Sequence, residues 1–199
     1  SSPLPAEPAQ VSTRLSRKTG AYEVTRATFA YHTVSLSHAD APALDLLSIV
    51  SGQGRSSRLS VSLLERQKLV TEISAWSFTP LEPGLFGVSA VFTPEKEQDI
   101  IDAVHTEIEA WKKDGFTEEE VEKARRITMN ALLSELQTMN GQANSLASGQ
   151  FYAHDPRYSE TYLSSMLNVT AKDIREVARK YLQPANLTIT VLAPESASA

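Results

Sequence analysis

Two rhythms of apolar residues divide this chain and predict an α+β fold, a mixed or antiparallel sheet covered by helices. Alternating text rich in β-branched and aromatic residues occupies 21–35, 70–79 and 85–92, and it returns at the far end in NLTITVL, 186–192. Between residues 95 and 181 the apolar positions recur every three or four residues, as amphipathic helices require. Strands, then a helical run, then a last strand is the order of helices laid on one face of a sheet.

The elements follow in order. Residues 11–15 can start a strand, and AYEVTRATFAYHTVS (21–35) holds one or two more. Leu44, Leu47 and Val50 give 41–51 a helical face, with Asp40 placed to cap it and Pro42 in its first turn. Gly52 and Gly54 end that helix. A second helix is expected over 57–68 on a Leu59, Leu63, Leu64 stripe. Strands 70–79 and 85–92 flank a turn at 80–84. Ile100, Ile101, Val104, Ile108 and Trp111 share one face of a helix over 95–114, which Gly115 stops. Thr117 with Glu120 spells a capping box for a helix reaching about Met139, where Asn140-Gly141 breaks it. Helices at 142–154 and 158–167 surround the Asp155-Pro156 break, and Tyr158 and Tyr162 share a face of the second. Thr170 and Asp173 form an acidic variant of the box for 170–181. The closing strand returns most simply to the sheet begun near Val11.

At 199 residues the chain is about one domain, expected over 11–194. Residues 1–10 carry three prolines and read as a linker with no signal-peptide pattern, and 195–199 reads as a loose tail. A chain of this length buries roughly 70% of its unfolded surface, so it needs neither metal nor disulfide to hold a core. It has no cysteine, which excludes disulfides and thiolate zinc sites but leaves periplasm and cytoplasm equally open. The net charge of −5 argues against a nucleic-acid partner. No apolar run approaches the ~18–20 residues of a membrane span, so no membrane partner is expected.

Reactive groups are sparse. His32, His38, His105 and His154 include no pair at HxxEH spacing, and His105 with Glu109 would supply two ligands where zinc needs more. Ser56, Ser57 and Ser60 lack a nucleophile elbow and a nearby His and acid. Gly52-Gln53-Gly54-Arg55-Ser56-Ser57 lacks the lysine of a phosphate-binding loop and reads as an inter-helix turn. Arg55 or Arg58 is expected to tie its helix to the sheet or to a neighbouring domain through a carboxylate.

The segment 41–76, with GQGRSSRL at its centre, resembles the C-terminal-type domain of the M16 (pitrilysin-like, processing-peptidase-like) zinc metallopeptidases. The resemblance extends over roughly 11–194 through PGLFGVSAVFTP, GFTEEEVEKAR, YAHDPRYSETYL and VTAKDIREVARKYLQPANLTITVLAP, in that order. It implies the LuxS/processing-peptidase-like metallohydrolase fold. It also implies halves built from N- and C-terminal-type domains that close around unfolded peptide, with zinc held on an HxxEH helix of an N-terminal-type domain. Members that help hold substrate carry Arg and Tyr in a pattern like LREKxGLxY, and a gap-free alignment puts Leu64 and Thr71 at those places.

On this resemblance the chain has no catalytic residue and no metal ligand of its own, and zinc belongs to a partner domain or subunit. Gly52, Gly54, Arg55, Ser56 and Arg58 are the candidate contacts to peptide or to a neighbouring domain. The expected role is a non-catalytic domain walling a peptide chamber in a homo- or heterodimeric assembly, inert alone. The alternative is a purely structural subunit, like the respiratory-complex core proteins of the same fold.

Overall fold

The computed structural model describes residues 8–195. Most of the expected linker and tail, residues 1–7 and 196–199, lies outside them. At the edge of that linker, Gln10 donates from Nε2 to the carbonyl of Leu187 at 2.7 Å.

Five strands form one mixed sheet in the order β1-β5-β2-β4-β3. They are β1 (Arg14–Gly20), β2 (Thr25–His32), β3 (Glu72–Phe78), β4 (Leu85–Phe92) and β5 (Leu187–Pro194). The last strand does return to the first, running parallel to β1, and it is antiparallel to β2 on its other side. β1 starts three residues later than the sequence suggests. Its side chains are almost all exposed, so it carries no apolar alternation to read; its span follows from pairing Arg14 with Thr188 through Gly20 with Pro194. Text 21–35 yields the single strand β2, preceded by a tight turn in which Tyr22 N donates to Gly20 O at 2.8 Å.

Alternation places Ala27, Phe29 and Tyr31 of β2 beside Val88, Ala90, Ile189 and Val191, all buried on one face. The helices α1 (Ala41–Gly52), α2 (Glu97–Asp114), α3 (Glu118–Leu136) and α6 (Ala171–Tyr181) contribute Leu44, Leu47, Val104, Trp111, Val121 and Ile174 to the same core. His105 of α2 meets the Phe29 ring edge-on at 6.3 Å, which fixes α2 on the core side of β2. The opposite face shows Arg26, Thr28, Ser74, Trp76, Ser89 and Thr190, each exposed or half-buried, and among the described residues no helix lies across it. Trp76 lies flat over Gly87 there and donates from Nε1 to Ser89 Oγ at 3.0 Å.

Three local expectations need correction. Asp40 stands at the α1 N-cap but makes no cap bond, because its carboxylate accepts from Lys180 Nζ at 2.7 Å and Tyr181 OH at 2.6 Å. Burial opposes ionisation of Asp40, but these two bonds outweigh it and hold the carboxyl below its usual range. The helix expected over 57–68 is a π-helix, Ser60–Arg66, with Gln67 N reaching back to Ser62 O at 3.0 Å. Seven residues of leucine spacing do not separate α from π winding. Finally, Asn140-Gly141 does not break α3. Thr138 does so by capping a new helix, α4 (Met139–Ser148), accepting from Gly141 N at 3.0 Å. α4 passes into a short π-helix, Gly149–Ala153, closed by His154 at φ 55°, and α5 (Tyr158–Asn168) follows.

Candidate functional site

The turn between α1 and the π-helix gathers the residues singled out by sequence, but it assigns them different jobs. Gly52 is buried where α1 crosses the sheet edge, and a β-carbon there would collide with the backbone of Ala75. It is a packing position, with no surface to offer a peptide. Gly54 is exposed at φ +81°, a left-handed conformation that suits glycine and turns the chain back. Arg55 and Ser56 are exposed at the tip, where Lys123 of α3 donates a hydrogen bond to Ser56 Oγ. Ser57 is buried and donates to Ser60 Oγ at 3.0 Å.

Arg58 is engaged inside the domain. Its Nε and Nη2 donate to the two oxygens of Glu120 at 2.6 and 2.8 Å, and its guanidinium sits 4.8 Å from the Phe116 ring centre. The expected carboxylate tie is therefore real, but it runs to α3 rather than to the sheet or another domain. Glu120 also accepts from Thr117 N at 2.7 Å, completing the capping box. The Arg58 hydrogen bonds are the largest influence on Glu120, lowering its carboxyl to about 2. Between the turn and α3 lies an open cleft of about 280 Å³ lined by Gln53, Ser56, Glu119, Lys123 and Ile127.

Leu64 and Thr71 follow. Leu64 is half-buried on the π-helix, packed against the core. Thr71 is exposed at the entry to β3, and both its backbone N and its Oγ1 donate to Val91 O, at 2.8 and 3.1 Å. Neither side chain presents a free donor proton. Lys68, aligned where the LREKxGLxY pattern has glycine, has a positive φ of 52°. That left-handed conformation suits glycine and costs a lysine.

The histidines stay apart. His38 Nδ1 accepts from Asp40 N at 3.0 Å, His105 packs on Phe29, and His154 ends a helix. Among the described residues no three His, Asp or Glu side chains converge as metal ligands. No helix of the described residues is long and apolar enough to cross a membrane.

Comparison with known proteins places this geometry. The pattern of the family described as peptidase M16 inactive domain matches residues 1–128. The chain belongs to the M16 inactive-domain family. It is 25% identical over 158 residues to an uncharacterized zinc protease of Streptomyces coelicolor, covering 78% of this chain and 34% of that protein. To zinc protease PqqE of Helicobacter pylori it is 24% identical over 165 residues, covering 82% and 37%. The chain thus spans only about a third of the length of the curated relatives it matches. A crystal structure of a protease from Helicobacter pylori has the same fold, with a TM-score of 0.86 at 23% identity, covering 96% of this chain and 47% of that one.

Sequence reasoning missed one feature of this M16 inactive domain. Asp45 lies in the middle of the apolar helix α1 and accepts a hydrogen bond from Tyr162 OH of α5 at 2.5 Å. An acidic residue inside ALDLLSIV was the available signal, masked by the leucines on either side. The shared face of Tyr158 and Tyr162 is as expected: their rings lie 5.4 Å apart, and Tyr158 OH reaches Leu36 O at 3.2 Å.

Proposed function

We propose that this chain is the non-catalytic domain of an M16-type zinc metallopeptidase, packing against a zinc-bearing domain or subunit and walling a chamber for unfolded peptide. The uncovered face of the five-stranded sheet carries the reading. It is broad, with small polar side chains such as Thr28, Ser74, Ser89 and Thr190 among charged ones such as Arg26 and Glu72, and with Trp76 and exposed Phe78 at one end, a composition suited to contact a second folded surface or an extended peptide. The other face is filled by the chain's own helices, so the bare one is where an assembly adds something.

The turn and the Leu64–Thr71 pair support the non-catalytic half of the reading. Oxyanion stabilisation needs a donor aimed at developing charge. Leu64 has none, and the Thr71 hydroxyl is committed to Val91 O. Arg58, a half-buried guanidinium, is held on Glu120. Zinc, and the water it activates, would come from the partner.

The test is association with the HxxEH-bearing protein encoded upstream or in the neighbouring reading frame, measured by analytical ultracentrifugation. Wild type forms a complex, and Ser89→Arg, which plants a charge in the centre of the bare face, weakens it at least tenfold while the isolated domain still melts cooperatively. Equal affinity for wild type and Ser89→Arg overturns the bare face as the contact. The absence of any HxxEH-bearing partner would instead favour a structural subunit.

A further inference from the structure

Residues 136–154 are the longest run of the sequence without Asp, Glu, Lys or Arg, nineteen residues where a chain 22% charged would carry about four. They are not buried. They build α4, the short π-helix and the turns around them, and most of their side chains face water. A helix washed by solvent normally carries charge on that side. This arm instead presents Met139, Leu146, Phe151 and Tyr152, with Leu133 of α3 just before them. Five of the ten exposed large apolar side chains among the described residues thus fall within 133–152. Met139 is 81% exposed and Phe151 70%, which sets them apart from core residues that merely show an edge.

The arm is stiff. Thr138 caps α4, Ser145 Oγ donates to Ser159 Oγ of α5 at 2.8 Å, and Asp155 N donates to Gly149 O at 3.2 Å, closing the π-helix back on itself. Phe151 and Tyr152 stand edge to face on that closed turn, their centroids 4.9 Å apart. Aromatic side chains already held in place lose little freedom on binding. The same arm holds a groove of about 270 Å³ between α3, α4 and α5. Leu132, Leu136, Leu146 and Pro156 give it apolar walls, its two serines are bonded to each other, and its two charged residues, Arg157 and Glu160, are opposite in sign.

Charge selects the occupant. At a net charge of −5 two copies of the chain repel each other, but this arm can face its own copy with no like charges opposed. Phe, Tyr and Met without Lys, Asp or Glu is also the composition of a protein interface core. A lipid surface would call for Lys or Arg beside the apolar side chains, and 136–154 has neither. We propose that two copies of this chain pair through this arm about a twofold axis, Phe151 of each entering the leucine-walled groove of the other. A twofold contact is self-complementary, so one surface must supply both the protruding and the receiving part, and the arm carries both. The arm belongs to the helices and not to the bare sheet face, so the pairing is independent of the function proposed above.

The experiment is sedimentation velocity on the purified chain from low micromolar to submillimolar concentration. Wild type rises with concentration toward twice the 21.8 kDa of one chain. Phe151→Asp, at an exposed position, keeps the melting temperature and raises the dissociation constant about tenfold or more. Phe151→Lys and Leu146→Asp each stay monomeric alone, and mixing the two restores pairing, because one contact becomes Lys to Asp and the other remains Phe to Leu. A wild type that stays monomeric throughout, a Phe151→Asp variant that pairs as wild type does, or a mixture that stays monomeric overturns the proposal. Loss of binding to the zinc-bearing protein in Phe151→Asp, with wild type monomeric alone, overturns it too and gives the arm to that partner.

Discussion

Arg58 and Glu120 show how a residue that looks available for recognition becomes structural. Their bidentate bond joins the turn after α1 to the start of α3, and both side chains remain roughly a third exposed. Solvent screening limits what such a pair contributes, so Arg58→Met is expected to cost about 1 kcal/mol, or ~2–4 °C in melting temperature. The pH dependence has a definite sign. A carboxyl lowered from 4.5 to about 2 stabilises the fold fully above 4.5, and that contribution drains away as the pH falls toward 2. Thermal melts from pH 7 to pH 2 will show the gap between wild type and Arg58→Met closing below pH 4.5; a gap independent of pH would remove Glu120 from the account. Lys68 makes the opposite prediction. A lysine at φ 52° carries a backbone cost that glycine does not, so Lys68→Gly raises stability by about 1 kcal/mol, read as a higher melting temperature. Loss of the Lys96 to Lys68 carbonyl bond in that variant would reverse the sign.

At the scale of elements, local chemistry was legible and long-range competition was not. Both capping boxes form as written: Thr117 with Glu120, and Thr170 with Asp173. Each needs only residues three apart. Thr117→Ala therefore costs about 1 kcal/mol in equilibrium denaturation. Asp40 failed as a cap because Lys180 and Tyr181, some 140 positions away, take its carboxylate first. No reading of neighbours finds that competition. The same holds for β1, whose place comes from β5, and for Arg58, whose partner lies 62 residues on. Gly52 was legible as a stop but not as a contact. Its closeness to Ala75 predicts that Gly52→Ala destabilises by ~1–3 kcal/mol through collision with β3, measured by urea unfolding. A neutral substitution would mean that β3 moves aside freely.

For the whole molecule, the order of elements sufficed for the fold class and the motifs strung along it carried the family resemblance, and the mixed five-stranded sheet with its last strand beside the first agrees with the fold class. The candidate site was less legible. Sequence named the turn, whereas the fold turns Gly52 and Arg58 inward and leaves two unassigned surfaces, the bare sheet face and the uncharged arm of α4 and the π-helix. Those surfaces depend on which side chains stay exposed, which becomes visible only once the elements are packed. One face of the sheet is filled by the chain's own helices and the other is bare, in a chain that belongs to the M16 inactive-domain family. The most direct test is hydrolysis of a quenched, unstructured peptide. The account predicts that the purified chain shows none, and that adding it to the zinc-bearing partner raises the partner's cleavage rate in a chelator-sensitive way. Chelator-sensitive cleavage by the purified chain alone, or no change in the partner's rate over the concentrations at which the two associate, would contradict it.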